Sequence, residues 1–70
     1  MANDRDFQAK VEGLIQEGLS DEEIASQLDL TEQGVQAWRL TFQGLSDEQI
    51  ATRFGIDVER VHEIKQPSTD

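Results

Sequence analysis

The sequence contains no cysteine and only one histidine, His62. Disulfide bonds and thiolate zinc sites are therefore excluded, and a histidine-based metal cluster cannot be assembled. No apolar run approaches the roughly 20 residues of a membrane span, and the first residues lack the basic start and apolar stretch of a signal peptide. We therefore expect a cytoplasmic protein with no cofactor and no membrane partner.

The chain is also short. Its 70 residues allow one small domain, predicted to span 1–70 and to lie near the stability limit. Apolar residues make up 36% of the chain, which suffices for a core that packing alone must hold together. The carboxylates fall at the starts and outer faces of short predicted helices, without a pocket that would shift their pKa values, so we do not expect an enzyme.

Positive charge is scarce. Six Lys and Arg stand against fifteen Asp and Glu, which gives a net charge of −9. This balance argues against a generic phosphate binder, because nucleic-acid affinity normally draws on positive charge. Three interpretations stay open: adaptation to a salt-rich cytoplasm, ordinary acidic variation, and an acidic surface that competes with nucleic acid for a basic partner.

An internal repeat organises the chain. At an offset of 26 residues the segment 18–22 (GLSDE) pairs without a mismatch with 44–48, and Ile24-Ala25 pairs with Ile50-Ala51. Eight identities fall between residues 18 and 38, and apolar character persists where identity fades. Such a period indicates a tandem supersecondary unit.

Each copy carries its own helix signals. Ser20 with Glu23 and Ser46 with Gln49 have capping-box spacing. Thr31 and Asp57 are predicted to cap the following helices, and Asp29 and Gly55 to end the preceding ones in the left-handed conformation. We predict an all-α fold of five helices, about 4–17, 20–28, 31–43, 46–54 and 57–66, with a frayed tail at 67–70. The predicted core comprises Ile24, Ala25, Leu28, Val35, Trp38, Ile50, Ala51, Phe54, Val61 and Ile64.

The third helix should belong to two overlapping three-helix units, about 4–43 and 31–66. The repeat offset carries Val11 to Ala37 and Leu14 to Leu40, so this helix should open the second unit while it closes the first. We therefore expect Leu40 to be as buried as Trp38, although the two side chains face different ways.

The repeated unit resembles a helix-turn-helix. The residues that carry the resemblance are Ile24, Ala25, Leu28, Leu30, Val35 and Trp38 in the first copy, and Ile50, Ala51, Phe54, Gly55, Ile56, Val61 and Ile64 in the second. Segments 23–28 and 49–54 are most similar to the second helix of response-regulator and sigma-factor DNA-binding domains. The resemblance covers about 18–66. It departs from the family at Asp29, where glycine is preferred.

The resemblance implies a DNA-binding transcriptional regulator. In the first unit it would present Thr31, Glu32, Gln33, Gln36 and Ala37 to bases. The residues predicted to contact DNA are Thr31, Gln33, Gln36, Arg39, Arg60, His62, Lys65 and Gln66. The alternative hypothesis is an acidic protein-interaction module that binds or antagonises a basic partner of the transcription machinery.

Overall fold

Five α-helices follow one another in residues 4–67, the part of the chain that the computed structural model describes. No strand occurs in these residues, and none of their helices is long and apolar enough to cross a membrane. The predicted helix bounds were too wide by at most two residues at an end, mainly because they included the capping residues. The helices are α1 (Asp4–Gln16), α2 (Asp21–Leu28), α3 (Glu32–Phe42), α4 (Asp47–Phe54) and α5 (Val58–Ile64).

The helix starts are capped by side chains at three of the four predicted positions. The hydroxyls of Ser20, Thr31 and Ser46 each accept a backbone N–H three residues further on, at 3.1–3.2 Å. Of these three caps, only that of α4 is a complete capping box, because the Gln49 side chain also accepts the Ser46 N–H at 2.8 Å. Asp57 occupies the N-cap position of α5 with extended backbone angles but makes no capping hydrogen bond, so that predicted cap is wrong.

The turns after α2 and α4 have the same geometry. Asp29 and Gly55 both adopt the left-handed conformation, with φ of 57° and 70°. In each copy the N–H of the following residue reaches back to the alanine carbonyl of the helix, Leu30 to Ala25 and Ile56 to Ala51, both at 2.9 Å. Both copies of the repeat therefore have the same turn, although in the first copy Asp29 adopts a left-handed backbone conformation that glycine adopts more easily.

Two hydrophobic clusters form the interior, and α3 contributes to both. The first cluster consists of Val11, Ile24, Ala25, Leu28, Leu30, Val35 and Trp38. The second consists of Ala37, Ile50, Ala51, Val61 and Ile64. Phe54 and Leu40 border the second cluster but are only half-buried, so the predictions of a fully buried Phe54 and of a Leu40 as buried as Trp38 were wrong.

The third helix packs against all four of the others. Elsewhere in residues 4–67 helices pack only within the pairs α1–α2 and α4–α5. Val11 of α1 and Ala37 of α3 are both fully buried, each in its own cluster, and the equivalent Leu14 and Leu40 are both half-buried. These pairs confirm that α3 closes the first three-helix unit and opens the second.

A close backbone approach within the second unit joins α3 to the end of α5. A β-carbon placed on Gly34 would overlap the carbonyl oxygen of Ile64, so only glycine lets the backbones meet there. One turn further along α3, the indole Nε1–H of Trp38 donates a hydrogen bond of 2.8 Å to the carbonyl of Lys65. The C-terminus of α5 is thereby fixed to the middle of the domain.

Candidate binding surface of the third and fifth helices

The exposed part of α3 is a narrow polar strip. Its exposed residues are Glu32, Gln33, Gln36 and Gln43, and Thr31 is exposed at the N-cap. Ala37 has no exposed surface, because the second unit covers it, so the role implied for it by the resemblance is wrong. Of the residues predicted to contact DNA on this helix, Gln33 and Gln36 keep free access, whereas the Thr31 hydroxyl is engaged in capping.

The outer face of α5 is uncovered along the whole helix. Its exposed residues are Val58, Glu59, Arg60, His62 and Glu63, followed by Gln66. Val58 is the most exposed large apolar side chain of residues 4–67, at 36%. Three predicted contacts, Arg60, His62 and Gln66, lie on this face. The fourth, Lys65, lies inward, with a side chain only 13% exposed.

Arg39 is held by the start of α2. Its guanidinium forms an ion pair with Asp21, and its Nη2 donates to the carbonyl of Leu19 at 3.0 Å. Both charged side chains are about one-third exposed or less. The guanidinium has therefore partly lost its water and has gained two protein acceptors instead.

Lys65 has the same relation to α4. Its Nζ lies 3.2 Å from Oδ1 of Asp47 and 4.4 Å from the centre of the Trp38 ring. Lys65 and Asp47 are the repeat equivalents of Arg39 and Asp21, each 26 residues further on. In each unit, the basic residue that directly follows a core residue of the third helix (Trp38 or Ile64) is therefore ion-paired with the aspartate that begins the second helix.

The remaining two basic residues among the predicted contacts, His62 and Arg60, also face carboxylates. The Nε2 of His62 lies 3.0 Å from Oδ2 of Asp47, so this aspartate contacts both His62 and Lys65. Arg60 pairs with Glu63 one turn later on the same exposed face, at 3.2 Å. All four basic residues nominated for DNA contact thus have a carboxylate of the protein itself beside them.

Four of the exposed acids lie in the first turns of α2, α4 and α5. Glu22 and Glu23 follow Asp21 at the start of α2, Glu48 follows Asp47 at the start of α4, and Glu59 lies on the outer face of α5. Acids in a first turn stabilise a helix through its dipole, which accounts for the acids of α2 and α4. Glu59 lies in the first turn of α5 and stabilises that helix in the same way, and its side chain is exposed.

The sequence places Asp21 and Asp47 at helix starts but did not identify them as the partners of Arg39 and Lys65. The repeat alignment carried the signal, because the same offset that pairs these aspartates also pairs Arg39 with Lys65. Elsewhere, a shallow open depression beside α4 is lined by Leu45, Ser46, Glu48, Gln49, Thr52 and Arg53. Residues 4–67 hold no group of three side chains suited to a metal ion.

Comparisons of the chain with protein families, with curated proteins and with solved structures find no match. A function must therefore be argued from the charges and surfaces described above.

Proposed function

We propose that the protein is an interaction module that binds a basic surface of a partner protein, with the transcription machinery as the source of that partner. The observation that carries this proposal is the pairing of Arg39, Arg60, His62 and Lys65 with the protein's own carboxylates. The side chains of α3 and α5 that are exposed to solvent and form no ion pair are predominantly acidic or neutral.

The pairing weakens the case for phosphate contacts. For Arg39 to reach a phosphate it must leave Asp21 and the Leu19 carbonyl, and a half-buried carboxylate would then lose its cation. Leaving a charge partly buried without its partner is costly. The same argument applies to Lys65, whose side chain also packs on Trp38.

The overall charge favours a basic partner. A net charge of −9 on a chain of 70 residues attracts basic surfaces and repels phosphates. This attraction mainly raises the rate at which the protein associates with a basic partner. Glu22, Glu48 and Glu59 are exposed carboxylates on three different helices, so the attraction is not confined to one helix.

Fluorescence anisotropy can test this proposal with two labelled probes of opposite charge. We expect a basic peptide of lysine and glycine to bind at low salt and to be released as salt rises, since charge attraction is screened. A duplex DNA of random sequence should not bind at any salt concentration. The same peptide with glutamate in place of lysine is the control. DNA binding without binding of the basic peptide would overturn the proposal.

The second candidate function is a sequence-specific DNA-binding regulator. Two observations favour it: the doubled resemblance to the helix-turn-helix, and the uncovered outer face of α5. The proposed contacts would come from Arg60, His62, Lys65 and Gln66 of the second unit, with Thr31, Gln33, Gln36 and Arg39 of the first. Because only six basic residues exist, few phosphates would be neutralised, and the dependence of affinity on salt would be shallow.

Variants of α5 test this second candidate. If α5 lies in a DNA groove, Arg60→Ala should weaken binding to genomic duplex fragments, and Glu59→Gln should strengthen binding by removing repulsion of phosphates. Gln43→Ala, on the exposed strip of α3 but outside the predicted contacts, is the control. The candidate fails if none of these proteins binds duplex DNA at low salt.

A further inference from the structure

We propose that Asp29, in the turn between α2 and α3, binds a lysine or arginine side chain of the basic partner. This inference rests on the proposed function and assigns it one contact residue. Asp29 is exposed, and its carboxylate is unfavourable for the fold in two separate ways. The second copy of the repeat shows this directly, because it makes the same turn with a neutral residue.

The backbone of Asp29 is the first unfavourable feature. Of residues 4–67, Asp29 is the one non-glycine residue with a positive φ. Its φ of 57° and ψ of 37° lie in the left-handed region, where a β-carbon crowds the backbone and glycine does not. Gly55 makes the equivalent turn after α4 with a φ of 70°. The turn therefore needs no side chain, and glycine would adopt it more easily than aspartate.

The charge of Asp29 is the second unfavourable feature. Asp29 directly follows α2, whose free carbonyl groups make this end of the helix partly negative. The last turn of α2 contains no basic residue to offset the repulsion. The last turn of α4 contains Arg53, and the equivalent residue of α2 is Gln27. The first copy therefore lacks both features, the glycine and the basic residue, that favour this helix end in the second.

The fold makes no use of the Asp29 carboxylate. Its side chain forms no ion pair or hydrogen bond within the part of the chain that the structure describes, whereas Asp21 and Asp47 start helices and pair with Arg39 and Lys65. A strained residue without a structural use indicates a role in binding. An ionised carboxylate only accepts hydrogen bonds, so its complement is the cationic donor of a lysine or arginine side chain.

Two substitutions test this inference, one at each end of α2, and each installs the neutral residue of the second copy. Asp29→Gly introduces glycine, as at position 55, and the matched control Glu23→Gln introduces glutamine, as at position 49. Both remove one negative charge from an exposed position. Asp29→Gly should raise the melting temperature by about 4 °C and weaken binding of the lysine-glycine peptide about fivefold by anisotropy.

The control should behave differently in both measurements. Glu23→Gln removes an acid from the first turn of α2, so it should not raise the melting temperature, and it should weaken peptide binding by less than about twofold. Asp29→Asn separates charge from conformation, because asparagine also adopts the left-handed conformation. It should weaken binding as much as Asp29→Gly does but raise the melting temperature less.

Two results would overturn this inference while leaving the proposed function intact. One is an equal effect of Asp29→Gly and Glu23→Gln on peptide affinity, which would mean that only the overall charge matters. The other is a melting temperature that Asp29→Gly does not raise, which would mean that the fold itself favours aspartate in this turn. Absence of peptide binding to the unchanged protein would overturn both the inference and the proposed function.

Discussion

Arg39 and Lys65 occupy the same position in the two repeats, and each is ion-paired with the aspartate that begins the second helix of its own unit. The arrangement is the same although one cation is a guanidinium and the other an ammonium. Each pair joins the end of a unit's third helix to the start of its second. The ion pair is therefore a structural component of the repeat, and this role competes with any role in contacting a ligand.

The two pairs should differ in how much stability they supply. Arg39→Met removes both the ion pair with Asp21 and the donor to the Leu19 carbonyl, so we expect a loss of about 1 kcal/mol. Lys65→Met should cost less, because Asp47 keeps His62 and the methionine stem still packs on Trp38. Urea unfolding measures both, and equal losses would contradict this account of the pairs.

The contact between Gly34 and Ile64 should be intolerant of even one methyl group. Gly34→Ala forces α5 away from α3, and we expect a loss of about 1–3 kcal/mol. Gly13→Ala is the matched control, since Gly13 lies within α1 with open space around it and should become more stable by up to about 1 kcal/mol. Thermal unfolding compares the two, and a neutral result for Gly34→Ala would show that the helices are not in contact there.

The shared helix should make the two units unfold together. Ile50→Ala creates a cavity in the second cluster and should cost about 2–5 kcal/mol. Trp38, the only tryptophan, lies in the first cluster and donates to the Lys65 carbonyl, so its fluorescence reports on that cluster and on its contact with the end of α5. We expect the fluorescence transition to shift to lower temperature by the same amount as the circular dichroism transition. A fluorescence transition that stays in place would mean that the first unit folds independently.

Salt should stabilise the protein. With a net charge of −9, like charges repel across the surface, and screening at about 1 M NaCl shortens the Debye length to about 3 Å. The melting temperature should therefore rise between low salt and about 1 M NaCl. Sodium sulfate is unsuitable as the test salt because it also strengthens apolar burial. If the melting temperature falls, the internal ion pairs outweigh the repulsion.

Much of the fold was predictable because its signals are local. Capping residues such as Ser46, the left-handed turn at Gly55 and the repeat offset predict where each helix starts and ends. The offset also predicts that α3 serves both units, as the buried Ala37 confirms. The predictions failed where burial depends on how completely neighbours cover a side chain, as for Leu40 and Phe54, which lie at the edge of the second cluster.

The candidate surface was harder to predict. The scarcity of basic residues is plain in the sequence, but whether Arg39 or Lys65 is free depends on the side chain that lies opposite after folding. The approach of Gly34 to Ile64 is likewise invisible in either local segment, since the two residues lie on different helices that are 30 positions apart in the sequence. Such contacts depend on how two helices cross, and the spacing of apolar residues in the sequence does not determine that crossing.

The double packing of α3 also determines where the sequence can change. A substitution at Val35 or Trp38 disturbs one cluster and a substitution at Ala37 the other, while a larger residue at Gly34 forces α5 away from α3. Substitutions in α3 that leave the packing intact are therefore restricted to the exposed polar strip that includes Gln36. In a library of single substitutions, α3 should form the least tolerant segment of the chain, interrupted at helical spacing by the few positions that accept almost any polar residue.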